Sequence, residues 1–88
     1  MTNITVPITI LMSVYNDEIF LEEAIRSILI QTFSNFEFII IDDGSKDKSL
    51  RIIKNFKDKR ISLLENNKNI GLSASLNKGI KLSKGKYI

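Results

Sequence analysis

Residues 36–45 read FEFIIIDDGS, and this stretch decides the fold. Ile39, Ile40 and Ile41 form an unbroken β-branched run that ends in Asp42, Asp43, Gly44 and Ser45. A run with no polar alternation suits a strand covered on both faces, as in a parallel sheet with helices on each side. The acidic pair then falls at the carboxyl end of the strand, the end that opens onto the ligand crevice in open α/β sheets. Two adjacent carboxylates are costly to hold together unless cations or hydrogen-bond donors meet them.

The flanking segments repeat the pattern. Upstream, Ile8–Val14 (ITILMSV) reads as a buried strand, with Pro7 before it where no ladder bond is lost. Tyr15, Asn16 and Asp17 turn the chain, and Asn16 or Asp17 suits the cap of a helix over about 18–31. Phe20, Leu21, Ala24, Ile25, Ile28 and Leu29 make one apolar stripe on it. Downstream, Ser45 is placed to cap a second helix over about 46–56, with Leu50, Ile53 and Phe56 inward. Residues 60–65 (RISLLE) read as a third strand, and 66–71 as a polar loop. A third helix follows over about 73–83 with Leu72, Leu76 and Ile80 inward, and Lys84 and Gly85 at its end. Lys86, Tyr87 and Ile88 open a fourth strand. The order β-α-β-α-β-α-β with right-handed crossovers gives a three-layer α/β/α arrangement on a mostly parallel sheet.

Composition narrows the chemistry. At 88 residues the chain is one small domain, residues 1–88, with 43% hydrophobic and 26% charged residues, an ordinary globular balance. With no cysteine and no histidine, disulfides, a Ser-His-Asp triad and the usual zinc ligands are excluded. The net charge of +3 is mild and lacks the aromatic–basic interleaving of a nucleic-acid surface. The first residues, MTNITVPITILMSVYN, make a poor signal peptide, and no window approaches the ~18 apolar residues of a membrane span. The expectation is a cytoplasmic protein, or one peripheral to the inner membrane face.

The strand ends bring chemistry-bearing residues together. Strand one contributes Ser13, Tyr15 and Asn16; strand two Asp42, Asp43 and Ser45; strand three Asn66, Asn67 and Asn69. Such a set can stack a base and accept hydrogen bonds from a base imide or ribose hydroxyls, while free N–H groups at the helix starts meet phosphate. A nucleotide pocket is the favoured reading. Each part also has a plain structural reading: DDGS as a turn with a cap, Tyr15 as a boundary aromatic, the asparagine-rich loop as a solvated turn. No G-x-x-x-x-G-K-[ST] occurs, and the first strand–helix turn reads SVYND without G-x-G-x-x-G, so neither a P-loop nor a dinucleotide-binding Rossmann turn is present.

ITILMSVYND, LEEAIRSILIQTF, FEFIIIDDGSKDKS and NIGLSASLNKGIKLSKGKYI together resemble the N-terminal half of a family 2 glycosyltransferase. The resemblance covers about residues 8–88 and implies a GT-A (Rossmann-like) half domain with strand order 3-2-1-4. It implies that a sugar passes, with inversion, from a nucleotide-diphosphate sugar, a UDP-sugar first, to a hydroxyl of a sugar or lipid-linked acceptor in polysaccharide or glycoconjugate synthesis, the nucleoside diphosphate leaving. By the same resemblance Ser13 and Tyr15 line the base pocket and Asp43 accepts from the base imide. Asp42 supports the strand end, and the segment 69–79, with Asn77, closes the diphosphate side; Asn16 and Ser45, from the strand-end reading, complete the nucleotide-binding set. Many members carry arginine where this chain has Leu76. The family's Mn²⁺ or Mg²⁺ is held by an Asp-x-Asp motif that these 88 residues lack, and its catalytic base lies further on. The chain therefore reads as a truncated piece of a catalytic domain, inactive alone, with no catalytic or metal residue of its own. Two other readings stand beside it: a stand-alone nucleotide-binding module, and an interaction fragment that forms a homodimer through an open sheet edge.

Overall fold

The computed structural model describes residues 8–31 and 35–82. Strand β1 (Ile8–Val14), helix α1 (Leu21–Leu29), strand β2 (Phe36–Asp42), helix α2 (Ser49–Lys54), strand β3 (Ile61–Glu65) and helix α3 (Leu72–Leu82) follow in that order. The three strands form one parallel sheet in the order β1-β2-β3. Val14 pairs with Asp42, and Asp42 with Glu65, so the three strands end level with one another. The 3-2-1 part of the expected order is present, while the expected fourth strand at Lys86–Ile88, with Lys84 and Gly85, lies outside the described residues.

Alternation along the strands gives the sheet two faces. On one, Ile8, Ile10, Met12 and Val14 of β1 meet Phe36, Phe38 and Ile40 of β2 and Ile61 and Leu63 of β3. Helices α1 and α2 cover that face with Leu21, Ile25, Ile28 and Leu29, and with Ile52, Ile53 and Phe56. The other face carries Leu11 and Ile41, which meet α3 at Gly79. A Cβ built there would come within 2.9 Å of a Leu11 methyl and 3.0 Å of an Ile41 methyl, so glycine lets the helix lie close on the sheet.

Several local expectations change. Helix α1 begins at Leu21 rather than Glu18, because Asp17 C=O already accepts the N–H groups of Phe20 (3.2 Å) and Leu21 (3.1 Å) in a preceding turn. Phe20 is consequently 72% exposed instead of inward. Helix α2 is only the six residues Ser49–Lys54, and Ile52 rather than Leu50 joins the core. Ser45 does not cap it; Asp47 Oδ1 accepts the Ser49 N–H at 2.8 Å. Helix α3 turns Ser75 and Gly79 to the sheet, leaving Leu72 64% exposed and Ile80 on the outer side. Small residues bring this helix in close, while Leu72, Ile80 and Leu82 lie away from the contact and Leu76 is half-buried.

The opposite end of the sheet is held by Arg60. Its guanidinium donates to both Asp58 carboxylate oxygens (2.9 and 2.8 Å) and to Leu29 C=O (3.1 Å), and lies 4.5 Å from the Phe36 ring centroid. One side chain thus caps α1, stacks on β2 and fixes the turn before β3. The Arg60 side-chain and backbone donors lower the Asp58 carboxyl from 3.8 to about 2. A depressed carboxyl stabilises the fold above its unfolded value and ceases to do so as pH falls through the folded one. The stability difference between the wild type and Asp58→Asn, measured by urea melts, should be constant above pH 4 and shrink between about pH 4 and 2.

Candidate functional site

The carboxyl ends of β1, β2 and β3 each release a loop into the same region, and the loops are tied together by side chains. The first tie joins the β1–α1 and β2–α2 loops. Asn16 N–H donates to Ser45 Oγ (3.0 Å), and Lys46 N–H donates back to Asn16 Oδ1 (2.9 Å). Asp17 N–H reaches Ser49 Oγ (2.9 Å) and Glu18 N–H reaches Asp47 Oδ2 (3.1 Å). Asn16 holds a left-handed backbone (φ 52°), a conformation that asparagine tolerates better than most residues. Tyr15, immediately before it, is 45% exposed at the rim of this joint.

The second tie is Asp43. Its side chain is 2% exposed, yet it is ionised and well provided with donors. Oδ1 accepts from Asn66 Nδ2 (2.9 Å) and Ile70 N–H (2.8 Å), and Oδ2 from Gly71 N–H (2.9 Å). Burial alone pushes the carboxyl up, but the donors of Ile70, Asn66, Gly71 and Ser75 outweigh it and hold it below the usual carboxylate range. Ile70 and Gly71 lead into α3, so Asp43 also sets a negative charge against the positive end of that helix. It acts as a cap supplied from a distant part of the chain.

Asn66 extends the network. It is 7% exposed, donates also to Ser75 Oγ (3.0 Å) and accepts from Lys78 Nζ (2.9 Å) through Oδ1. A carboxylate on its amide nitrogen and an ammonium on its oxygen leave the amide one orientation. Gly44 allows the approach, with φ 72° and a hypothetical Cβ only 2.6 Å from the Lys68 carbonyl carbon.

The expected site residues therefore separate by role. Asn16 and Ser45 bond to each other, and Asp42 Oδ2 joins them by accepting Ser45 N–H (3.2 Å). Asp42 is buried, and its Oδ1 has no hydrogen-bond partner. Ser13 is half-buried on β1 opposite Ile41, near Tyr15. Asn77 is exposed on α3 and no hydrogen bond joins it to the others. Of the N–H groups leading into the helices, expected to be free for phosphate, those of Asp17, Glu18, Lys46, Ser49, Ile70 and Gly71 are engaged by Ser49, Asp47, Asn16 and Asp43. The loop after β3 is not a merely solvated turn, because Asn66 is buried in it. Asn66 belongs to the strand-end set, whereas Ser75, which donates to Asp43, and Lys78, which donates to Asn66, carry no mark in the local sequence pattern. The available signal was register: Asp43 and Asn66 each follow directly after paired residues Asp42 and Glu65.

No group of three or more acidic, histidine or cysteine side chains able to hold a metal ion occurs among the described residues. Asp43 is taken up by its donors and Asp42 is enclosed, so the acidic pair does not fit a metal site. No described helix is long and apolar enough to cross a membrane.

Comparison with known proteins adds the following. The family model for glycosyl transferase family 2 matches residues 9–88. An uncharacterized glycosyltransferase of Haemophilus influenzae is 47% identical over 83 residues, covering 92% of this chain and 33% of that protein. The glycosyltransferase GlyA of Streptococcus pneumoniae is 41% identical over 83 residues, covering 92% of this chain and 12% of the other. The chain thus spans a third or less of the length of these relatives. Among solved structures, the mannosyltransferase PcManGT from Pyrobaculum calidifontis, in complex with GDP-Man and Mn²⁺, superposes with a TM-score of 0.79 at 22% identity. That match covers 90% of this chain and 25% of the mannosyltransferase, and at such identity it establishes a shared fold.

Replacing Asp43 by Asn sets an amide N–H₂ against one of the donors that the carboxylate satisfies. Asp43→Asn should cost about 2–4 kcal/mol in denaturant unfolding. Gly44→Ala should lower the thermal midpoint as well, since both its φ and its Cβ are disfavoured.

Proposed function

The chain belongs to glycosyl transferase family 2, and on that premise we propose that it forms the donor-binding portion of a glycosyltransferase. In this reading the donor is a nucleotide-diphosphate sugar, with a UDP-sugar as the first choice. The sugar passes to a hydroxyl acceptor with inversion at the anomeric carbon, in the assembly of a polysaccharide or glycoconjugate on the cytoplasmic side. The observation that carries the proposal is the convergence of three tied loops at the level carboxyl ends of β1, β2 and β3, with Tyr15 exposed at the rim. The fold shared with a mannosyltransferase that holds GDP-Man supports a nucleotide sugar.

Each residue then has a defined task. Tyr15 offers a ring on which a base stacks, and Ser13 a hydroxyl beside it. Asp43 acts mainly through the loop it anchors, offering a base imide only the acceptor capacity its donors leave. Asn16, Asp42 and Ser45 hold the Tyr15 turn in place. The divalent ion bound by the mannosyltransferase suggests Mn²⁺ or Mg²⁺ for the longer protein. The chain by itself supplies binding and positioning, with transfer requiring residues beyond it.

An amide NMR titration of the chain with UDP and then GDP tests the proposal. Saturable shifts centred on Ser13, Tyr15 and residues 66–71 are expected for the preferred nucleotide. Tyr15→Ala should weaken that binding about tenfold by loss of base stacking. A dispersed spectrum that ignores both nucleotides contradicts the proposal.

A further inference from the structure

The charges of this chain are spread unevenly. Residues 46–60 carry seven of its 13 basic residues and two of its 10 acidic ones. Both of those acids are taken up by donors of the chain itself. Asp47 accepts the N–H groups of Glu18 and Ser49, and Asp58 is held by Arg60. Lys48, Arg51, Lys57 and Lys59 are exposed, and none of them is in an ion pair among the described residues. The helix dipole accounts for cations in the last turn of α2, where Arg51 and Lys54 stand. It does not account for Lys57 and Lys59, which lie beyond the helix.

An exposed apolar residue stands beside these two lysines. Ile30, directly after α1, is 81% exposed and lines one depression with Arg26, Phe56 and Lys57. Arg60 donates to Leu29 C=O at 3.1 Å and so ties the turn that carries Lys59 to the end of α1. Arg26 lies 5.7 Å from the Phe56 ring centroid and pairs with Glu22 at 2.7 Å, which neutralises that acid. Phe56 is half-buried, so it offers no bare ring to a nucleic-acid base. An aliphatic tip flanked by long ammonium side chains suits a bilayer surface. The tip enters the acyl boundary while the ammonium groups stay among anionic headgroups.

The patch also has a defined place. Helices α1 and α2 both run back from the carboxyl ends of parallel strands, so their last residues lie at the end of the sheet away from the crevice. Asp17, Glu18 and Asp47 lie at the crevice end, where an anionic surface would be repelled.

We propose that Ile30, Lys57 and Lys59 dock the chain on an anionic lipid bilayer, with the crevice turned away from it and open to a soluble ligand. The proposal does not rest on the nucleotide-sugar reading, which stands or falls by its own titration.

Cosedimentation tests it, with vesicles of phosphatidylcholine plus phosphatidylglycerol and with vesicles of phosphatidylcholine alone, at low and high salt. Wild type should bind the anionic vesicles, leave the neutral ones and be released by salt. Lys57→Gln/Lys59→Gln should bind about 25-fold more weakly, at about fivefold per basic residue. Ile30→Ser should lose about fivefold and keep its salt response. Lys81→Gln, on α3 and the other face of the sheet, should bind as wild type does. The substituted side chains are all exposed, so the variants should keep the wild-type urea midpoint. A wild type that ignores the anionic vesicles, or binds neutral ones equally, overturns the proposal. So does a loss at Lys81 equal to that per lysine of the double variant, which would mark bulk charge. Ile30→Ser binding like wild type overturns it as well. Polyglutamate and duplex DNA are added as competitors at a charge concentration equal to that of the lipid. If either strips the chain from the vesicles, the surface belongs to an acidic protein or a nucleic acid and the lipid assignment falls.

Discussion

The Asp43 carboxylate carries its negative charge into a place with almost no solvent contact, and the β3–α3 loop is shaped around the need to answer it. Leaving such a charge without donors would cost several kcal/mol. Asn66, Ile70 and Gly71 supply them from 23, 27 and 28 residues along the chain. The loop is therefore closed onto β2 by bonds to a charge. The start of α3 is set by the same bonds, because the chain enters the helix through Ile70 and Gly71. Gly44 makes the closure sterically possible, and Ser75 and Gly79 let α3 settle on the sheet behind it.

A parallel sheet makes this arrangement possible. Because its strands point the same way, the loops that follow all three gather at one end. At that end the two adjacent acids divide the work. Asp42 faces the side with Val14 and Ser45, where it helps hold the joint that presents Tyr15. Asp43 faces the opposite side and holds the loop that carries Asn66 and, through it, Lys78. Strand alternation sends consecutive side chains to opposite faces, so an Asp-Asp pair can serve both sides of one crevice.

Much of this was legible in the sequence. The bounds of β1 and β2 follow from Ile8–Val14 and Phe36–Asp42 because buried parallel strands are written as apolar runs with sharp polar ends. The helices were less legible. Apolar spacing suggested Leu72, Leu76 and Ile80 as the inner face of α3, but close packing favoured Ser75 and Gly79. Periodicity marks where large residues lie and carries no weight for contacts made by small ones. The site was legible as a place and illegible as a network. Asp43, Tyr15 and Asn16 fall where strand-end reasoning sets them, whereas the bonds between Asp43 and residues 66–71 depend on tertiary register that no local pattern encodes. Ser45 and Asn16, each suited to capping its own helix, instead bond across to the neighbouring loop.

The central claim is that an ionised, buried Asp43 holds the loop that shapes the site. The most direct measurement follows the Asp43 carboxyl carbon and the amide protons of Ile70 and Gly71 by NMR through an acid titration. The account predicts that all three signals move together, with one midpoint below the ordinary carboxylate range, in the direction its donors impose. A midpoint at or above that range, or amides of Ile70 and Gly71 that ignore the titration of Asp43, would contradict it.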